Sequence, residues 1–138
     1  VDLIFDQLWR HFADAASWLI YPDAVQAIEL CENRGWRWCI GSNFDCRLHR
    51  VIAGHPLLQR AEHTFCSSEV GFDKPATQFF RAIEQRLAVP AQLLVMIGDD
   101  QRLDADAAQA AGWKSIWIDR KSKDPCMQLH LLLQAVSF

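Results

Sequence analysis

Three carboxylates follow a short apolar run in Val95-Met96-Ile97-Gly98-Asp99-Asp100-Gln101-Arg102-Leu103-Asp104. Such a run, stopping at Gly-Asp, predicts a buried strand whose carboxyl end opens onto a loop, the place where open α/β sheets bind their ligands. Like charges repel, so two of Asp99, Asp100 and Asp104 aimed at one point call for a cation between them, and oxygen-only ligands suit Mg²⁺. Taken alone, the stretch reads equally well as a solvated Asp cluster that caps the next helix. Two other groups fall at comparable places. Ser42 and Asn43 follow the strand-like Trp36-Arg37-Trp38-Cys39-Ile40-Gly41, and Lys74 stands on a loop before Pro75. A phosphoryl group needs this set: a hydroxyl and backbone amides for its oxygens, an ammonium for its charge, and a carboxylate-bound Mg²⁺ to bridge it.

The elements that would position these groups alternate. Apolar residues at Leu3, Ile4, Leu8, Trp9, Phe12, Ala15, Ala16 and Leu19 predict an amphipathic helix over 3–19. Pro22 opens a second helix that Gly35 stops. Strands are expected at 36–42, 62–66, 93–97 and 115–118, with helices over 47–52, 76–88 and 125–138. Pro75 suits a first helical turn, and Ala107, Ala108 and Ala111 make a small-residue stripe suited to close packing on a sheet. Helix alternating with strand predicts a parallel sheet.

The composition sets bounds on partners. With 138 residues, 51% hydrophobic and 22% charged, the chain is long enough for a real core. A net charge of -3 without a Lys/Arg block offers no footprint for nucleic acid or an anionic membrane. No apolar run has the length of a membrane span and no secretory pattern is present, so a cytoplasmic protein is expected. Cys31, Cys39, Cys46, Cys66 and Cys126 are odd in number and form no Cys-x-x-Cys. Reduced, mostly buried thiols are expected, with neither a disulfide framework nor a zinc site. The sequence leaves the oligomeric state open.

In this order the motifs resemble those of the haloacid dehalogenase-like (HAD) hydrolase superfamily, in particular its capped phosphatase-like members. Ile40-Gly41-Ser42-Asn43-Phe44-Asp45 resembles the second motif, whose Ser/Thr binds the transferring phosphoryl group. Glu69-Val70-Gly71-Phe72-Asp73-Lys74-Pro75 is similar to the third, whose lysine stabilises the nucleophile and the phosphoryl charge. Met96 to Asp104, continuing through Gly112, resembles the fourth, with Asp99 and Asp104 in the places that hold Mg²⁺. Leu103 stands where many relatives carry Asn, and Asp100 where a small Ser is common. The first motif, a strand ending in Asp-x-Asp-Gly-Thr that supplies nucleophile and acid/base, has no match. Asp2 and Asp6 lie four apart in a helical pattern without the following Gly-Thr.

The resemblance implies a three-layer, Rossmann-like α/β core with a parallel sheet over 21–138, lacking its first strand, and a remnant of a helical cap over 1–20. It implies Lys74 as the catalytic residue, Ser42 and Asn43 as substrate-binding residues, and Asp99 and Asp104 as Mg²⁺ ligands. The implied reaction is hydrolysis of a small phosphorylated metabolite through an aspartyl-phosphate, with this chain inactive alone for want of the nucleophile. Dehalogenation stays open beside phosphate-ester hydrolysis, and a non-catalytic remnant with a structural or interaction role is the alternative. A response-regulator receiver would place its acidic residues first and its lysine last, the reverse of the order here. A dinucleotide-binding domain would need Gly-x-Gly-x-x-Gly after a strand. In the family the missing strand lies between those ending at Ser42 and Gly98. Its absence leaves two expected outcomes, open pairing positions between 37–42 and 93–97 or a direct pairing of those strands, with marginal stability in either case.

Overall fold

The computed structural model describes residues 2–121 and 128–136. In chain order it contains α1 (Asp2–Ala13), α2 (Pro22–Asn33), β1 (Ile40–Ser42), α3 (Arg47–Ala53), β2 (Thr64–Cys66), α4 (Ser67–Val70), α5 (Thr77–Leu87) and β3 (Val95–Gly98). A π-helical turn (Gln101–Asp106), α6 (Ala107–Ala110), β4 (Lys114–Trp117) and α7 (Gln128–Gln134) complete it. Local chemistry sets these bounds. Pro22 begins α2 with Asp23 in the first turn, and Gly35 follows its end at φ 68°, a left-handed geometry that glycine adopts without strain.

The strands pair in parallel, as their order predicts, but in two ribbons rather than one sheet. β1 runs beside β2 from Ile40–Thr64 to Ser42–Cys66, and β3 beside β4 from Val95–Lys114 to Gly98–Trp117. Among the described residues no ladder joins β1 to β3, so the open arrangement is the one found. A parallel strand bonds each neighbour through alternate residues. The Ile40 N–H donates to the His63 carbonyl and the Trp38 carbonyl accepts from Glu62. Gly41 therefore turns its backbone groups away from β2. By the same alternation, Leu94 and Gly98 accept from Lys114 and Ile118 beside β4, which turns Val95 and Ile97 away from it.

Helices cover both faces of these ribbons. Phe79, Phe80 and Ile83 of α5 pack with Ala107, Ala108, Ala111, Phe65, Trp113 and Met96 on one side. Ala27 of α2 and Leu129 and Leu133 of α7 pack with Ile97, Ile116 and Ile118 on the other. Met96 and Ile97 enter different clusters because successive strand side chains point to opposite faces. The result is a three-layer, Rossmann-like α/β core, and the alanine stripe lies in it as expected.

Several expected boundaries move. The first helix stops at Ala13 rather than at 19, because the Asp14 side chain accepts the Ala16 N–H at 3.0 Å and caps a separate 3₁₀ turn over Ala15–Ser17. The strand predicted at 36–42 shortens to Ile40–Ser42. Pro75 does not open α5: it precedes Ala76, the residue that caps the helix, and the Lys74–Pro75 peptide is cis. The C-terminal helix covers Gln128–Gln134, and residues 122–127 and 137–138, with Cys126, fall outside the described part. Leu3, Ile4, Phe5 and Leu8 on α1 are more than half exposed. The helix is held where Trp9 lies 3.8 Å from the Arg47 guanidinium, and the next turn is seated where Ala15 meets Gly54. A Cβ at residue 54 would stand 2.1 Å from that of Ala15, so this approach requires glycine. Among the described residues no helix is long and apolar enough to cross a membrane.

Candidate active site

Lys74 ties the two ribbons together. Its side chain is buried, and its ammonium donates to the Asp104 carboxylate beyond β3 and, at 3.4 Å, to the Gly41 carbonyl of β1. That carbonyl is on the side of β1 that β2 does not use, so the lysine satisfies an acceptor the ladder leaves over. Asn43 fixes the loop that delivers it. The Asn43 Nδ2 donates to the Lys74 carbonyl at 2.8 Å, and the Lys74 N–H donates to the Asn43 Oδ1 at 2.7 Å. Expected to bind substrate, Asn43 is here engaged in holding Lys74.

The acidic loop divides its carboxylates among different tasks. Asp104 is buried; one oxygen faces Lys74 and the other accepts the Asp100 N–H at 3.2 Å. Asp100 accepts the Leu103 N–H at 2.7 Å and so caps the π-helical turn. Asp99 is exposed. Its carbonyl accepts from the Trp117 indole at 3.1 Å, while among the described residues nothing hydrogen-bonds its carboxylate. Ser42, half-buried, ends β1 next to Gly41.

Lys74 thus links the carboxyl end of β1, at Gly41 beside Ser42, to the acidic loop after β3, at Asp104. Asp99 and Asp104 differ as potential Mg²⁺ ligands. Asp99 has a free carboxylate suited to a hard cation, whereas both Asp104 oxygens have partners already. Asp104 places a buried negative charge beside that carboxylate, and each of its oxygens keeps a further lone pair beyond its present partner.

Beside Asn43 a cleft of about 500 Å³ runs between Phe44, Asp45, Arg47, Ser67 and Ser68. The Arg47 guanidinium, hydrogen-bonded to Asp45 at 2.7 and 2.8 Å, holds that carboxyl below the usual carboxylate range. Sequence reasoning missed two further groups. Asp23 is fully buried and accepts from one Arg120 nitrogen at 2.8 and 2.9 Å, tying the start of α2 to the chain after β4. The first-turn aspartate after Pro22 was the available signal. The second is a cluster of His49, Cys66 and Glu69, whose ligand atoms lie within 4.8 Å of one another. Its signal was Cys46-x-x-His49 with Cys66-x-x-Glu69, spacings invisible to a search for cysteine pairs alone. Of the other thiols, Cys31 and Cys39 are half-buried and Cys46 is exposed, a wetter set than expected. Burial, with the Glu69 charge second, pushes the Cys66 thiol up to about 11.

Comparison with known proteins adds a separate line of observation. A family profile described as haloacid dehalogenase-like hydrolase matches residues 1–112. Haloacid dehalogenase-like hydrolase domain-containing protein 3 of Mus musculus is 28% identical over 135 residues, covering 94% of this chain and 54% of the mouse protein. Phosphoserine phosphatase of Thermus thermophilus is 27% identical over 117 residues, covering 83% of this chain and 47% of its own length. The crystal structure of a HAD phosphatase from Thermococcus onnurineus superposes with a TM-score of 0.73 at 23% identity, covering 79% of this chain and 51% of that one. The chain spans about half the length of the curated relatives it matches.

Proposed function

The chain belongs to the haloacid dehalogenase-like hydrolases, and from that premise we propose that it carries the phosphoryl-binding part of a Mg²⁺-dependent phosphate-ester hydrolase. The observation that carries this reading is Lys74, a buried ammonium between the carboxyl ends of β1 and β3, with Gly41 and Asp104 as its partners. In the proposal Ser42 and the amides after it hold the phosphoryl oxygens, Asn43 keeps Lys74 in place, and Lys74 neutralises charge on the phosphoryl group. Asp99 holds Mg²⁺ and Asp104 supports it; the ion, when bound, supplies charge stabilisation to the phosphoryl oxygens. A carboxylate supplied from outside these 138 residues attacks phosphorus and expels the ester oxygen, and water then hydrolyses the aspartyl-phosphate. The substrate is a small phosphorylated metabolite. The free thiols of the described cysteines suit a reducing compartment, in keeping with a cytoplasmic protein.

The test compares the 138-residue chain with a longer fusion that places the first-motif segment of a haloacid dehalogenase-like relative before it, each given p-nitrophenyl phosphate and Mg²⁺. The shorter chain should show no turnover. The longer one should turn over, and lose roughly a hundredfold or more in Lys74→Ala and in Asp99→Asn. Turnover by the shorter chain that Asp99→Asn abolishes would place a nucleophile within it. Silence from both, with no binding of phosphate or Mg²⁺, would favour the non-catalytic reading.

A further inference from the structure

We propose that His49, Cys66 and Glu69, joined by Cys46, form a zinc site between α3 and α4, separate from the Lys74 centre and independent of its chemistry. The His49 Nε2 lies 2.8 Å from the Glu69 Oε1 and 3.8 Å from the Cys66 Sγ. All three ligand atoms fall within 4.8 Å of one another. Tetrahedral zinc with ordinary Zn–S, Zn–N and Zn–O bonds sets its ligand atoms about 3.3 to 3.6 Å apart. The ion needs His49 and Glu69 to open by under about 1 Å and Glu69 to swing to tetrahedral distance from Cys66.

The elements make that adjustment easy at one side and fix it at the other. Cys66 is fully buried where β2 ends, so its sulfur is held by the core. His49 and Glu69 are exposed side chains on short helices and can swing toward it. Cys46 caps the start of α3 three residues before His49, exposed and outside the three-atom cluster, so it joins as the fourth ligand by swinging in. The two pairs, Cys46-x-x-His49 and Cys66-x-x-Glu69, repeat the spacing that places two ligands one turn apart. Without an ion, the His49–Glu69 contact is an exposed side-chain hydrogen bond of small energetic value, and among the described residues the His49 nitrogen is the hydrogen-bond partner of the buried sulfur. A ligand set of sulfur, nitrogen and one carboxylate selects zinc over Mg²⁺ or Ca²⁺. Four protein ligands close the shell, so the role is structural: zinc clamps α3 to α4. Ser67 and Ser68, between Cys66 and Glu69, line the cleft beside Asn43, so the clamp stiffens that wall.

The experiment uses the tag-free chain, stripped of metal and titrated with Zn²⁺ alone by calorimetry, with Co²⁺ absorption as a second reading. One ion per chain, submicromolar affinity, tetrahedral cobalt bands and a thiolate-to-cobalt charge-transfer band are expected. His49→Ala and Cys66→Ser should each weaken zinc by roughly a hundredfold, and Glu69→Gln by roughly tenfold or more, while Cys31→Ser leaves binding unchanged. Should Cys66→Ser fail to fold, the two exposed positions, His49 and Glu69, carry the test. Zinc binding weaker than micromolar, binding indifferent to both His49→Ala and Glu69→Gln, or cobalt spectra without the charge-transfer band would each overturn the proposal.

Discussion

The Asp104 carboxylate packs against Gly98 so closely that a Cβ at residue 98 would stand 2.0 Å from its Oδ2. The glycine that ends β3 is therefore required for the position of the buried acid, and through it for Lys74. Gly98→Ala is expected to push Asp104 from its place and to destabilise the protein by at least about 2 kcal/mol, combining overpacking with a disturbed buried ion pair. Urea unfolding measures it. A loss within experimental error would mean that Asp104 has another place to go.

Lys74 and Asp104 are both buried, so each is costly without the other. Lys74→Met leaves an unpaired buried carboxylate and is expected to cost about 3 to 5 kcal/mol, whereas Lys74→Met with Asp104→Leu should recover much of that. The corresponding double-mutant cycle gives the coupling. Additive effects would show that the pair contributes no mutual stabilisation.

The order Ser42, Lys74, Asp99, Asp104 was legible because each group follows an apolar run or precedes a helix, and a parallel sheet brings such positions to one edge. Their division of labour was not. That Asn43 grips the Lys74 backbone depends on loop conformation, and that Asp104 rather than Asp99 meets the lysine depends on the π-helical turn that folds it onto Gly98. Neither carries a periodic signal. The two ribbons follow from which strands are present, whereas the short α1 turned on one Asp14 cap that overrides the helical periodicity running on to Leu19. The His49, Cys66 and Glu69 cluster joins residues from two helices and a strand end, so the spacings stand in the sequence but their meeting is seen only in the fold.

Mg²⁺ is expected to bind this chain weakly if at all, because Asp99 offers one free carboxylate and octahedral Mg²⁺ draws on several oxygens. Calorimetry in the millimolar range should show a weak isotherm that Asp99→Asn removes. Submicromolar affinity would mean that Asp104 and further oxygens of the chain complete the shell beside Asp99.

Asp45 provides a pH signature. The Arg47 guanidinium holds its folded-state carboxyl below the usual value, so the group stabilises the fold above the unfolded value and loses that contribution as pH falls through the folded one. Asp45 is partly exposed, so the contribution is small. Wild type should exceed Asp45→Asn in urea midpoint at pH 7, with the difference shrinking below about pH 4. A difference that grows on acidification would reverse the assignment.

The unjoined edges of β1 and β3 should be visible in hydrogen exchange. Lys114 and Ile118 donate to Leu94 and Gly98, so the alternate residues Val95 and Ile97 point their N–H groups toward β1, with which β3 forms no ladder. Gly41 does the same from the other side, its carbonyl taken by Lys74. Amides bonded in a ladder exchange only when it opens, whereas unbonded ones need no such opening. The amides of Gly41, Val95 and Ile97 are therefore expected to exchange roughly a hundredfold faster than those of Ile40, Met96 and Gly98 in the isolated chain. Exchange resolved by NMR at each amide checks this, and the same measurement on the longer fusion tells what lies beside those edges. Newly protected Gly41, Val95 and Ile97 would mean that a strand from outside these residues pairs with both ribbons. Equal protection of all six amides in the isolated chain would mean that β1 and β3 pair in solution after all, and that Lys74 bridges a continuous sheet.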